Sequence, residues 1–298
     1  MNRIKNILAC LDLTYIDSIL VEYAAFFART VDAEKTFFLH VIQEYDLPDK
    51  GGREIPETEV LNEIIFRKIQ DEVDDHFEKN QPVTIETRIE EEDASAAIID
   101  FISEAGIDLL LIGQKHGSNR EARYGHKIAS GADCDVMFIP EMVEMQIRSI
   151  LCAIDCSRES QIAFQRALYI ADKTGAALSC YFLYDTAETY FPATTLTSAG
   201  IQQERFRKEY ARFLEHFQRS PGDIQCHFRE IKATENQAEM IYDAAIEDQA
   251  ELIIVGAVGD ISSPTTLLGN ISENFNHMEK KMPLLIIRNK KTKGFFWG

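Results

Sequence analysis

The sequence predicts an α/β protein made of two tandem, open, mostly parallel five-stranded sheets flanked by helices, and three observations predict it. The first is a repeat. The apolar run Ile4 to Leu11, closed by Asp12-Leu13-Thr14, returns as Ile147 to Ile154, closed by Asp155-Cys156-Ser157. Asp108 to Gly113 likewise returns as Glu251 to Gly256. Asp12 to Asp155 and Gly113 to Gly256 are both 143 residues apart, far beyond the roughly 20–50 residues of solenoid and propeller repeats, so each repeat is a whole domain. The second observation is the alternation, in both repeats, of short β-branched runs with long amphipathic stretches, the pattern of parallel strands joined by crossover helices. The third is a glycine-rich turn behind the fourth apolar run of the second repeat, where open parallel sheets place their ligands.

Within the first repeat, strands are expected near Ile4–Leu11, Lys35–Ile42, Thr84–Ile89, Leu109–Ile112 and Val136–Ile139. Helical spacing of Ile19, Tyr23, Phe26 and Phe27 predicts a helix from Ser18 to Thr30, and Leu61, Ile65, Ile69, Val73 and Phe77 predict one from Glu57 to Lys79. Asn80-Gln81-Pro82 stops the latter. The acidic run Glu90 to Asp93 resembles a metal cluster, yet it directly precedes the periodic segment Ala94 to Ala105 and its stop, Gly106. Carboxylates favour a helix N-terminus and glycine a helix end, so capping is the expected role. In the second repeat, strands are expected near Ser149–Ile154, Ala177–Leu183, Gln225–Ile231, Leu252–Val255 and Leu284–Ile287.

A chain of 298 residues, 45% of them hydrophobic, suits two domains of about 150 residues; the boundaries fall at residues 1–143 and 147–298. The short linker, Pro140 to Gln146, predicts an intramolecular pseudo-dimer of the two repeats, with a further homodimer left open. Against 31 Lys and Arg stand 49 Asp and Glu, a formal charge of −18 that disfavours nucleic acid and anionic membrane surfaces. The N-terminal apolar run is broken by Asp12 and reads as a strand, not a secretory signal. No stretch approaches the roughly 20 apolar residues of a membrane span, and six cysteines without a CxxC pair predict reduced structural thiols. A cytoplasmic location is the resulting expectation.

The chemistry concentrates in the second repeat. Gly256-Ala257-Val258-Gly259 is followed by nine residues and then by Gly269-Asn270-Ile271-Ser272 at the head of an apolar helix. Glycines permit close backbone approach, and free amides at a helix N-terminus donate to phosphate oxygens. The loop is not a Walker A sequence, which needs a Lys on the outer phosphates. With its two copies of an Asp closing strand one, and G-x2-G-x9-G behind strand four of the second, the chain resembles a tandem universal stress protein, a family of Rossmann-like adenine-nucleotide binders. The family has Ser or Thr where this chain has Asn270. The resemblance implies that Ala153 and Asp155 line the ribose and adenine side and that Leu183 and Val255 lie by the base. It implies further that Gly256, Gly259, Gly269, Asn270, Ile271 and Ser272 hold the phosphates of ATP or AMP, with or without Mg.

The first repeat departs from this pattern. Gly113 is followed by three residues before Gly117, then by only seven before Gly125. Asp12, Val41 and Gly113 are therefore expected as remnants in a repeat that keeps the fold and binds nucleotide poorly or not at all. The broken loop carries Lys115, Arg120, Arg123 and Lys127, a candidate anion patch, whereas Asp260 to Leu268 has no cation. His40, within an apolar strand, reads as a satisfied structural histidine. GxSxG, HExxH and metal-ligand spacings are absent from the sequence, and no metal cluster is expected.

The function expected is that of a stress-response protein whose bound nucleotide sets conformation or the choice of an unidentified protein partner, with no catalysis. Two alternatives stand beside it: a scaffold of the same fold without nucleotide, and a slow Mg-dependent ATPase using Asp155. The tail, Asn289 to Gly298, joins Lys290, Lys291 and Lys293 to Phe295, Phe296 and Trp297, and is expected to dock back on the protein.

Overall fold

The computed structural model describes residues 3–43, 58–78, 82–90, 94–115, 125, 127–184, 198–230, 236–257 and 281–288. The described elements fall into two compact units that divide between Met145 and Gln146.

The first unit runs β1 (Asn6–Leu11), α1 (Ile16–Val31), β2 (Lys35–Gln43), α2 (Thr58–His76), β3 (Val83–Glu90), α3 (Ala94–Glu104), β4 (Leu109–Gln114) and β5 (Asp135–Pro140). Every pairing in its sheet is parallel, in the order β3-β2-β1-β4-β5. Strands covered on both faces read as continuous apolar runs, and Leu109–Leu111 and Val136–Ile139 are buried throughout. Successive strand residues point to opposite faces. Phe37 meets Phe101 of α3 edge to face, while its neighbour Phe38 meets Phe77 behind α2, so the two helices cover opposite faces of β2. Gly106 ends the turn after α3 with φ +61°, a left-handed conformation that costs glycine nothing.

The second unit runs β6 (Ser149–Ile154), α4 (Arg158–Thr174), β7 (Ala177–Tyr184), α5 (Ser198–His216), β8 (Gln225–Glu230), α6 (Gln237–Glu247), β9 (Leu252–Gly256) and β10 (Leu284–Ile287). Its order, β8-β7-β6-β9-β10, is the same, again all parallel. Phe164 of α4 packs edge to face on Phe213 and Phe217, holding α4 beside α5. Cys152, Cys180 and Cys226 are register partners across β6, β7 and β8, facing the side that Tyr210 of α5 covers. Ser179, one residue away, bonds Asp248 behind α6 at 3.2 Å on the other face. Burial pushes all four thiols in this neighbourhood up, that of Cys156 to about 12, so they remain protonated.

The first strand starts at Asn6, later than the apolar run suggests, because the Asp108 carboxylate takes the backbone N–H groups of Lys5 and Asn6 at 2.9 and 3.1 Å. Glu251 plays the same part for β6, accepting from the Arg148 N–H and, at 3.0 and 2.7 Å, from its guanidinium. The acid preceding each fourth strand thus ties down the start of each first strand. No helix among the described residues is long and apolar enough to cross a membrane.

Candidate functional site

The strand order reverses direction between β1 and β4, and between β6 and β9. Crossover helices leave such a switch point on opposite sides, so the carboxyl ends of the two strands frame a crevice. In the first unit the last registered pair is Cys10↔Ile112. In the second it is Cys152↔Ile254, one residue earlier on both strands. Ala153 and Val255 therefore stand where β6 and β9 part, with Gly256 next along β9 and Asp155 two residues on, just past the end of β6. Leu183 closes the described side chains of β7 and is buried.

Each first strand ends in the same turn. Leu13 and Cys156 both adopt left-handed backbone, φ 61° and 59°. The aspartate before each accepts from the N–H two residues on, Asp12 from Thr14 at 3.2 Å and Asp155 from Ser157 at 2.9 Å. Behind the turn, Gly113 and Gly256 serve the helix that follows. A Cβ on Gly256 would lie 2.9 Å from the backbone C and O of Glu159, and one on Gly113 would lie 3.1 Å from the Ile16 side chain. Glycine at these places lets the first turn of α4 or α1 close on the fourth strand.

The two sites then diverge. In the first unit, Lys115 at the end of β4 puts its Nζ 2.5 Å from Asp12 Oδ2, with only 9% of its side chain exposed. Thr14 Oγ1 donates to Asp12 Oδ1 at 2.5 Å. Asp17, in the first turn of α1, accepts from the N–H groups of Asp12 and Leu13 at 3.2 and 2.7 Å. Burial pushes Asp12 up, but Lys115 and Thr14 outweigh it and hold the carboxyl below the usual range. Asp17 goes the other way, to about 7, mainly through burial and with the Asp12 charge adding to it. His40 packs beneath, its Nδ1 2.9 Å from the Leu11 carbonyl; burial lowers its pKa and the ring is neutral, with Nδ1–H the donor. That is the structural role expected of it.

In the second unit, Asp155 Oδ2 has no hydrogen-bond or ion-pair partner among the described residues. Ser160 replaces Asp17; its hydroxyl turns back to the Ser157 carbonyl at 3.0 Å while Ser157 Oγ caps its N–H at 3.1 Å. The Ala257 N–H is committed to the Ile287 carbonyl at 2.8 Å.

Of the residues singled out in the sequence, the structure gathers Ala153, Asp155, Val255 and Gly256 at one crevice, and Asp12, Gly113 and Lys115 at the other. Val41 lies on β2, half-buried, and Leu183 at the matching place on β7. Lys127 is exposed in a helical stretch preceding β5. Gly259, Gly269, Asn270, Ile271, Ser272, Arg120, Arg123 and the tail from Asn289 lie outside the described residues. Of the candidate anion patch, Lys115 lies against Asp12. Asp17 and Ser160 belong to no motif, and their only signal in the sequence is the 143-residue offset that aligns an acid with a serine. Among the described residues no group of His, Cys, Asp or Glu is arranged to hold a metal ion.

The profile of the Universal stress protein family matches the chain twice, over residues 3–140 and 146–287. No curated protein matches it. Among solved structures, a universal stress protein from Archaeoglobus fulgidus DSM 4304 is 16% identical over 96% of this chain and 99% of its own, with a TM-score of 0.65. A protein of unknown function from Pseudomonas aeruginosa PAO1 is 15% identical over 96% of this chain and 93% of its own, also with a TM-score of 0.65. At such identities the likeness is one of fold. A universal stress protein in complex with cAMP matches 47% of this chain over 99% of its own, at 16% identity and a TM-score of 0.35. With the family profile matching both repeats and two whole-length neighbours of the same fold, the chain belongs to the universal stress protein family.

Proposed function

We propose that this is a non-enzymatic stress-response protein that binds an adenine nucleotide, ATP or AMP, in its second repeat and uses it to set conformation or partner choice. Family membership supports the stress role. One observation carries the choice of repeat: at equivalent switch points Asp155 keeps a carboxylate oxygen without a partner among the described residues, while Asp12 is held on both oxygens by Thr14 and Lys115. An ionised carboxylate at the end of a central strand accepts two hydroxyl hydrogen bonds, the chemistry of a ribose edge. In the sequence, the spacing of Gly256, Gly259 and Gly269 suits a phosphate-binding turn.

Catalysis is not part of the reading. Phosphoryl transfer needs cations around the moving group, and residues 256–272 contain neither Lys nor Arg. The test is isothermal titration of ATP, with and without Mg²⁺, into the full chain and into Gly259→Val. One site per chain that disappears in the variant, with the fold retained, is the expected result. Absence of binding in the parent chain refutes the nucleotide reading in favour of a scaffold. Mg²⁺-dependent hydrolysis lost in Asp155→Ala refutes the non-enzymatic part.

A further inference from the structure

The sequence explains the silence of the first repeat by a broken glycine loop. The structure adds a second cause, distinct from the glycine spacing. Around the turn Asp12-Leu13-Thr14, the polar groups facing the crevice are taken by side chains of the same chain. Asp17 holds the N–H groups of Asp12 and Leu13, Thr14 holds Asp12 Oδ1 and Lys115 holds Asp12 Oδ2. Two of these contacts have opposite reach. Asp17 supplies carboxyl acceptors from four or five residues away, and Lys115 a cation from 103 residues away. Together they fill both sides of the turn, a carboxyl on its amides and an ammonium on its acid.

At the corresponding turn of the second repeat, no side-chain acceptor engages the N–H of Asp155 or Cys156 among the described residues, and Asp155 Oδ2 has no partner there. Ser160 is too short to reach back as Asp17 does and bonds Ser157 instead. The residue aligned with Lys115 is Val258, which carries no charge wherever it lies.

Resting on the nucleotide reading above, we propose that the first repeat is shut by its own side chains, Asp17 and Lys115 occupying the groups that the second repeat leaves to its ligand. The two aligned pairs, Asp17 with Ser160 and Lys115 with Val258, decide which repeat accepts a ligand. The burial of Lys115 fits this role. With 9% of its side chain exposed, Lys115 keeps its ammonium against Asp12 Oδ2, the oxygen that a ribose hydroxyl would need.

The experiment exchanges the first-repeat residues for those of the second, Asp17→Ser with Lys115→Val, in the full chain. Two readouts are taken: amide hydrogen exchange at Leu13 by NMR, and the number of ATP sites by calorimetric titration up to millimolar ATP. The expected result is at least tenfold faster exchange at Leu13 and a second ATP site, at least tenfold weaker than the first because its glycine loop remains broken. Unchanged exchange at Leu13 overturns the proposal, because the Asp17 contact then plays no part in solution. Faster exchange with the site count unchanged overturns it as well, because occupation is then not what excludes ligand. Should the double variant unfold, Lys115→Met retains the apolar stem and takes the place of Lys115→Val. A parent chain without any ATP site refutes the nucleotide reading instead, and a site gained only in the variant would then uphold the closure on its own.

Discussion

Gly256→Ala and Gly113→Ala form a matched pair at equivalent positions, and the structure assigns them different costs. At Gly256 the new Cβ falls 2.9 Å from both the carbonyl carbon and the oxygen of Glu159, against ordinary contacts of 3.4–4 Å. A shortfall of that size against backbone is relieved only by moving β9 or the first turn of α4. Overpacking of this kind costs about 1–3 kcal/mol, of which removing a strand glycine returns about 0.5–1 kcal/mol. At Gly113 the nearest atoms are Ile16 Cδ1, Cγ1 and Cγ2, at 3.1, 3.2 and 3.2 Å. A side chain gives by a few tenths of an ångström with an off-rotamer cost of about 0.5–1.5 kcal/mol, nearly balanced by the same backbone gain. Gly256→Ala is thus expected to lower the transition of the second domain by several degrees, at about 2–4 °C per kcal/mol for domains of this size. Gly113→Ala should leave the first within about 2 °C. Differential scanning calorimetry, fitted as two transitions because the domains need not melt together, reads both. Because α4 also positions the turn at Asp155, ATP affinity should fall in Gly256→Ala and stay constant in Gly113→Ala. Equal losses at the two glycines, or a larger one at Gly113, would refute the reasoning.

Asp17 gives the chain a pH signature. Its folded-state pKa, about 7, lies above the ordinary aspartate value of 3.8, so between pH 4 and 7 the folded state binds the extra proton and stability falls as pH rises. Half-burial reduces the full linkage to about 2 kcal/mol. Asp17→Asn should flatten that slope in urea titrations across this range, and an unchanged slope would refute the assignment. Asp12 acts in the opposite sense and elsewhere. Held low by Lys115, it lends stability that is present at neutral pH and lost only as pH falls below the ordinary carboxylate range. Tyr23 is wholly buried, yet its hydroxyl has no hydrogen-bond partner among the described residues. Tyr23→Phe should therefore be neutral or raise the urea midpoint by the equivalent of about 1 kcal/mol, and a clear loss would mean a partner exists in solution.

The repeat, the strand positions and the switch-point residues were legible in the sequence because each is encoded over a short span. Apolar runs of five to eight residues, the 143-residue offset and the Asp-x-Thr and Asp-x-Ser turns need no knowledge of what lies across the sheet. The all-parallel order β3-β2-β1-β4-β5 follows from the alternation of strand and helix, since each crossover must return over a face. What the tertiary structure decided is the state of the two crevices. Lys115 reads from sequence as one of several loop cations, and only the pairing of β4 beside β1 brings it onto Asp12, 103 residues away. Gly256 reads as a phosphate glycine, and only the packing of α4 on β9 gives it a neighbour in the Glu159 backbone. Asp17 reads as an ordinary first-turn acid, and only the left-handed turn at Leu13 aims two amides at its carboxylate. Local pattern selects the fold because hydrophobic periodicity is a short-range property. Occupancy of a site depends on contacts between distant segments, which exist only once the sheet has assembled.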